Sequence, residues 1–446
     1  MNKELLNKAE QFLQKNLEKK SSFFDPELRK NALLLLSEEG FPTKKNEEWK
    51  YTNVNFINTT DFHFPDNKTD VELTVNDIQN FIINSNDEYL LVFVNGYFNR
   101  SLSRLNLDGN DNIIIGQLED ALSFNKNYHT FIGSSLDKLN DGFTLLNSSL
   151  FCDGAFVLIP ENTVLEKPIH ILNIADSRHN SYISNQRNIV LAGCNSNVTI
   201  LESNYQIGDC NSFYNVITEI FADDSSVIDY YKLQNEDKQM HYIGTTQVVQ
   251  YSNSIFNSTT ISLNQKFARN NLNSLINGEF CESNFNGLYF LTEDNFVDNH
   301  TLADHASPNS NSNEVYRGII DGESTAVFNG KIIVRPDAQK TNAYQSNKNI
   351  LLSDDATINT KPQLEIYADD VKCSHGATSG TINNESLFYL RARGISEETA
   401  KALLLYAFAD EIIEKIKLKD LKDKIKNNIA EKLNIVQFIN DEIQFD

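Results

Sequence analysis

No stretch of this sequence approaches the roughly 18 consecutive apolar residues that a membrane-spanning helix needs, so no membrane partner is expected. Positive charge is also scarce. Lys and Arg number 39 against 61 Asp and Glu, a net charge of -22, which argues against binding a nucleic-acid backbone or an anionic lipid surface. Only five cysteines occur, an odd and scattered set without framework spacing, which suits a reducing compartment. The start, MNKELLNKAEQFL, breaks every apolar run with charge and reads as an amphipathic helix rather than a signal peptide, so a cytoplasmic location is expected. Neither Gly-x-x-x-x-Gly-Lys-Ser/Thr nor a strand-linked Gly-x-Gly-x-x-Gly is found. ATP hydrolysis and dinucleotide binding in their standard forms are thereby excluded, and any ATP dependence has to come from a partner.

What is present divides the 446 residues into four regions. Residues 1–60 read as helical: Leu5, Leu6, Ala9, Phe12, Leu13 and Leu17 share one helical face, and Asp25-Pro26 opens a second helix. Residues 61–154 form a mixed connecting region. From residue 155 to 382, short β-branched and aromatic runs end in Asn, Asp, Ser or Gly, the texture of a solenoid. A polar turn followed by an apolar residue recurs there at Asn195, Asp224, Asn253 and Glu282, a spacing of 29 residues. The next turn in phase, at Asn311, carries Glu314 where the others carry Val or Phe. One corner per coil of a parallel β-helix gives such a recurrence, whereas the Leu-x-x-Leu-x-Leu ladder of a leucine-rich repeat is absent. The fold expected is mainly β, a right-handed parallel β-helix flanked by helical N- and C-terminal regions. In residues 383–446, Ser396 caps a helix bearing Ala400, Leu403, Leu404, Ala407, Phe408 and Ile412, and a second helix follows. These helices either cap the solenoid or dock a partner.

Residues 363–396, QLEIYADDVKCSHGATSGTINNESLFYLRARGIS, carry the chemistry. Alternation through Leu364 to Tyr367 and Val371 predicts a strand that presents Cys373 and His375 on one face, about 7 Å apart. Spacing alone leaves three readings open: half of a metal site completed by another chain, an imidazole-activated thiol, or a half-buried Cys beside a surface His. The remaining cysteines, Cys152, Cys194, Cys210 and Cys281, read as buried structural thiols. His300 and His305 read as loop residues, Arg317, Lys331 and Arg335 as solvated charge, and Trp49 with Tyr51 as packing.

The run IYADDVKCSHGATSG, with LFYLRARGIS and EETAKALLLYAFADEII after it, resembles the C-terminal signature of the SufB/SufD family of iron-sulfur cluster assembly proteins. NEEWKYTN, residues 46–53, is similar to that family's Glu-Trp-Lys/Arg-Tyr-Thr element, and Gly376 directly after the His resembles the SufD branch. The resemblance implies a non-catalytic scaffold subunit that pairs with a SufB-like paralogue and with a SufC-like ATPase on the C-terminal helices. It implies a transient iron-sulfur cluster built where two β-helices meet, with His375 and Cys373 as its ligands from this chain. Two other readings stand beside it. One is a carbohydrate-active β-helix enzyme using Asp354 and Asp355 or Asp369 and Asp370; the other is a homodimeric structural module, which is also the state open to the isolated chain.

Overall fold

The computed structural model describes residues 3–18, 25–65, 73–83, 87–105, 112–136, 141–235 and 239–436. Its strands are β1 (Tyr89–Val94), β2 (Tyr97–Phe98), β3 (Ile114–Gln117), β4 (Ala155–Ile159), β5 (Ile169–Asp176), β6 (Tyr182–Ala192), β7 (Asn197–Ile207), β8 (Ser212–Ala222) and β9 (Val227–Asn235). They continue as β10 (Met240–Gln250), β11 (Ile255–Leu263), β12 (Phe267–Ile276), β13 (Glu282–Leu291), β14 (Phe296–His305), β15 (Asn311–Ile320), β16 (Thr325–Val334), β17 (Asn342–Leu351), β18 (Thr357–Ile366) and β19 (Lys372–Gly380). From β4 onward, even-numbered strands pair with even and odd with odd, so each pair β4–β5 through β18–β19 is one coil of a parallel solenoid and there are eight coils. The connecting region adds to the same sheets at their N-terminal end. There β1 pairs parallel with β5, and β3 pairs antiparallel with β4.

The corners explain the recurrence. Asn195, Ser225, Asn253, Phe280, Asn309 and Lys340 each hold a positive φ between 56° and 63°, at intervals of 27 to 31 residues. This left-handed region is costly for side chains other than Asn and Asp, so its repeated use marks a turn that the coil geometry demands. The first three instances of the 29-residue pattern mark this corner, whereas residues 282–285 lie inside β13, past the corner at Phe280.

Alternation then sorts each strand into an inner and an outer face. Val198, Ile228 and Phe256 are in register on β7, β9 and β11 and are completely buried in the lumen. Each such side chain contributes about 1.5–3 kcal/mol of burial. The outer face of the even sheet, through Ile183, Phe213, Ile243 and Phe267, is covered by the helices Lys3–Glu18 and Pro26–Glu39 and by Trp49 and Phe143. The outer face of the odd sheet, through Leu233, Leu263 and Phe290, is covered by Leu405, Ile412 and Ile425 of the helices Glu397–Ile413 and Lys419–Lys432. Those helices therefore cover a flank and leave the end of the solenoid open. The apolar outer face of the odd sheet, not the exposed coil end, is what their apolar stripes satisfy.

Three sequence expectations change accordingly. Arg317 is buried and donates through Nε and Nη2 to Glu411 at 2.8 and 2.6 Å, tying the helical region to β15. His300 and His305 lie on β14 rather than in a loop. His305 faces the lumen, 2.9 Å from Ser312 Oγ, and burial lowers its pKa to about 4. Of the four cysteines read as buried, only Cys281 is so, and Cys152, Cys194 and Cys210 are partly exposed.

The lumen also buries two ionisable side chains, Glu202 and Lys232, opposite each other in register on β7 and β9. Glu202 accepts from the hydroxyls of Tyr230 at 2.5 Å and Tyr242 at 2.8 Å, while Lys232 donates to Thr246 at 3.4 Å and its ammonium lies 5.5 Å from the Tyr242 ring. Burial pulls the Lys232 pKa down, and Glu202 opposes that shift. Removing one partner of a buried pair strands the other, at about 3–5 kcal/mol. Glu202→Gln should therefore lower the unfolding free energy of the full chain, read from urea titration, by that order, and adding Lys232→Met should restore most of it. Simple additivity of the two substitutions would show that the charges are not coupled.

Candidate functional site

Cys373 and His375 lie on β19, the last strand of the odd sheet, which pairs with β17 on one side and, among the described residues, with nothing on the other. The expected single strand is in fact two. β18 ends at Ile366, the chain turns, and β19 begins at Lys372 in the opposite sheet. Asp369 and Asp370 fall in that turn and Asp354 and Asp355 in the preceding one, all exposed, so neither pair faces a substrate cleft.

Register fixes which way the two residues project. Cys373 is opposite Ala343 and His375 opposite Gln345, and Ala343 and Gln345 are inward-facing and buried. Cys373 and His375 thus belong to the lumen face, on a coil that among the described residues no further coil covers. Cys373 is half-buried against the lumen core, and His375 is exposed. They form the rim of the lumen mouth, beside an open groove of about 410 Å³ between Asn342, Tyr344 and Ser374. Gly376 has no heavy atom within 4 Å of where a Cβ would stand, so this rim is uncrowded.

Burial raises the Cys373 thiol above its usual range, opposed by a hydrogen bond from the Ala343 backbone. A nucleophilic cysteine has the opposite shift, since the thiolate is the reactive form, so the imidazole-activated reading loses its support. As donors for a soft metal the pair remains well chosen, one sulfur and one imidazole nitrogen on the same face. Among the described residues no group of three or more His, Cys, Asp or Glu could hold a metal ion.

Residues that sequence reasoning passed over lie one and two coils below His375. Gln345 Nε2 donates to Glu314 Oε2 at 2.9 Å, and the Thr301 hydroxyl donates to the same oxygen at 2.7 Å from the opposite wall. Burial lifts the Glu314 carboxyl to about 7, against the two donors that lower it. Its signal in the sequence was the carboxylate standing where the repeat otherwise has Val or Phe. In the structure Glu314 is indeed in register with Phe285.

The NEEWKYTN segment has a structural role. Arg269 lies 3.8 Å over the Trp49 ring and donates to Asp298 at 2.6 Å and to the Glu48 carbonyl at 2.8 Å, while the Thr52 hydroxyl also donates to Asp298. His300 completes the clamp, 3.0 Å from Asp298 and 3.5 Å from Glu48. The segment pins the N-terminal helices to the outer face of β12 and β14.

Comparison with known proteins agrees with this architecture. The SUF system FeS cluster assembly SufBD core domain matches residues 174–408, and the SufBD protein N-terminal region matches residues 4–171. An iron-sulfur cluster assembly SufBD family protein of Synechocystis is 32% identical over 90% of both chains. The iron-sulfur cluster assembly protein SufD of Escherichia coli is 28% identical over 88% of this chain and 90% of its own. A chloroplastic protein of Arabidopsis thaliana, ABCI7, is 27% identical over 90% of this chain and 85% of its own.

The raised thiol pKa has a direct readout. Peptide-resolved iodoacetamide labelling should show Cys373 reacting more slowly than an unhindered thiol at neutral pH, its rate still climbing above about pH 8.5. A plateau below that pH would show an activated thiol instead.

Proposed function

The chain belongs to the SufB/SufD family of the SUF iron-sulfur cluster assembly system, and from that premise we propose that it is the SufD-like scaffold subunit of an assembly complex. It pairs through its open coil end with a SufB-like paralogue, and a nascent cluster forms at the junction. Cys373 and His375 contribute this chain's share of the ligands. The observation that carries this reading is the position of a thiol and an imidazole on the inner face of an uncovered terminal coil. A partner there meets two free strand edges and the exposed side chains of Tyr344, Ile366 and Tyr367. Edge strands of this kind are ready templates for pairing with another chain, and a half-set of soft donors suits a cargo shared between two proteins. A SufC-like ATPase supplies the nucleotide chemistry for which this sequence has no phosphate loop. It docks on the C-terminal helical region.

The helical packing narrows that docking surface. The helices Glu397–Ile413 and Lys419–Lys432 spend their apolar residues on the solenoid flank, whereas Phe388 and Tyr389 on the helix Asn384–Arg391 stay 74% and 56% exposed. Large exposed aromatics next to each other mark a contact surface.

Two experiments follow, both with the full chain co-expressed anaerobically with a SufB-like and a SufC-like protein. His375→Ala should leave folding and complex assembly near wild type, because exposed substitutions stay within about 0.5 kcal/mol, while iron and sulfide in the complex collapse. Normal cluster content in an intact complex would remove His375 from the site. In the second, the double substitution Phe388→Asp with Tyr389→Asp should abolish co-purification of the ATPase and spare that of the SufB-like partner; undiminished ATPase recovery would place its docking surface elsewhere.

A further inference from the structure

Glu314 is a completely buried carboxylate that faces the lumen from β15, two coils below His375, with Gln345 between them in the same register column. Thr301 of β14 and Gln345 of β17 both donate to its Oε2, whereas Oε1, equally buried, has no hydrogen-bond partner among the described residues. Both donors are neutral. Among the described residues no Lys or Arg pairs with Glu314, and the other groups around it bring no positive charge at neutral pH. His305 of β14 has a pKa that burial lowers to about 4, and burial holds the hydroxyls of Tyr316 on the same strand and Tyr289 on β13 protonated. Phe285 lies in register below, and β16 contributes Phe328 and Gly330 to this part of the lumen. Toward the open side, past Gln345, the inner face carries Cys373 and His375. A buried carboxylate that no cation answers is costly, so such a group keeps its proton, and burial lifts this carboxyl to about 7.

We propose that Glu314 is the proton-linked counter-charge of the lumen mouth: a neutral acid in the free chain, it ionises and releases its proton to solvent when a cation is held at the rim by Cys373 and His375. Neighbouring strands lie about 4.8 Å apart, so Glu314 stands about 10 Å below the rim. A unit positive charge at that distance, through an interior of effective dielectric about 20, lowers a carboxyl pKa by about one unit. Thr301 and Gln345 serve both states. Oε2 already accepts two bonds, so the unpartnered Oε1 is the oxygen that carries the proton, and the same two donors hold the group in place once the proton has left. The carboxylate in the repeat's apolar slot thus acts on the rim without touching it. Because the folded carboxyl keeps its proton to a higher pH than the unfolded one, Glu314 costs the fold stability as pH rises from about 4.5 to about 7, and no further. The coupling to a bound metal rests on the reading of Cys373 and His375 as ligands; the neutral acid does not.

The test follows the Glu314 carboxyl itself, by the carbon-13 resonances of the free full-length chain with labelled glutamate carboxyls. Glu314→Gln identifies the signal by its loss. Its midpoint should lie near 7, against about 4.3 for an unperturbed glutamate. Should that variant misfold, the signal is recognised by its late titration, and the absence of any glutamate carboxyl titrating near 7 overturns the proposal. A fixed charge is then placed at the rim. A methanethiosulfonate bearing a trimethylammonium group converts the Cys373 thiol to a mixed disulfide with loss of methanesulfinate, and methyl methanethiosulfonate makes the uncharged counterpart. The cationic adduct should lower the Glu314 midpoint by about half to one unit relative to the neutral one. In Cys373→Ser, where the reagents reach only the other cysteines, both should give the same midpoint. Equal midpoints for the two wild-type adducts, or the same fall in Cys373→Ser, would overturn the coupling. Iron takes no part in that comparison, so the two layers separate. If the adducts behave as expected while His375→Ala complexes retain iron and sulfide, the coupling stands and the ligand reading fails. If His375→Ala empties the complex while the adducts leave Glu314 unmoved, the ligand reading stands and the coupling fails.

Discussion

A parallel coil is stable only while another coil satisfies its edge, and among the described residues the last coil of this solenoid has no successor. β18 and β19 each pair on one side, and β19 is exposed along most of its length. Free edges of this kind invite association, and proteins that need to remain single blunt them with charge, proline, bulges or a covering helix. Here the blunting is slight. Pro362 interrupts the donor row of β18 opposite Gly330, but the helices that could have lain over the end are committed to the flank. The inner face of the same coil carries Cys373 and His375 without a cover. An end left open in this way concentrates the liability of the fold at the place where the proposed ligands stand.

Covering both flanks makes that arrangement sustainable. Parallel sheets are normally buried on both faces, and this one is enclosed by an N-terminal layer on the even sheet and a C-terminal layer on the odd. Each layer is fastened by charge as well as packing. Arg269 joins Asp298, Trp49 and the Glu48 carbonyl on one side, and Arg317 joins Glu411 on the other, with Lys417 reaching Asp229 at 2.8 Å. The arginines are buried, and Arg317 grips Glu411 through both Nε and Nη2, which gives the layers a fixed register that apolar contact alone does not. The coil end is thus presented by a rigid body.

Much of the fold was legible because the determinants are local. Polar corners and alternating apolar runs gave the solenoid, although the corner interval varies between 27 and 31 residues and the fixed 29-residue pattern slid off it by β13. What stayed hidden were the effects of distant partners. The stretch FVDNHTLADH reads as a loop because it is polar on both faces. It is a strand because its outer face meets Glu48 and Thr52 and its inner face meets Ser312 and Glu314. Arg317 looked solvated because Glu411 is 94 positions away. Cys373 and His375 were visible as a pair, but not the buried contacts of Gln345 and Thr301 with Glu314 beneath them, which three different strands bring together.

Under the proposed scaffold role, the chemistry of the rim suits a site that a partner completes. Burial raises the Cys373 thiol, so in the free chain it stays protonated and less prone to oxidation than an activated cysteine. Metal binding must expel that proton, which weakens any complex that this chain forms alone. Two donors from one side of a mouth compound the weakness, since iron and zinc sites draw on three or four protein ligands. Under the proposed role, closure by a partner would change both terms together: it would add ligands, and the cation it helped to hold would stabilise the thiolate that burial had disfavoured. Under the scaffold reading, retention of iron and sulfide is therefore conditional on assembly, and opening the junction returns the thiol to its protonated state and releases the cargo. A fully preformed cage would bind more tightly and could not let go on the same signal.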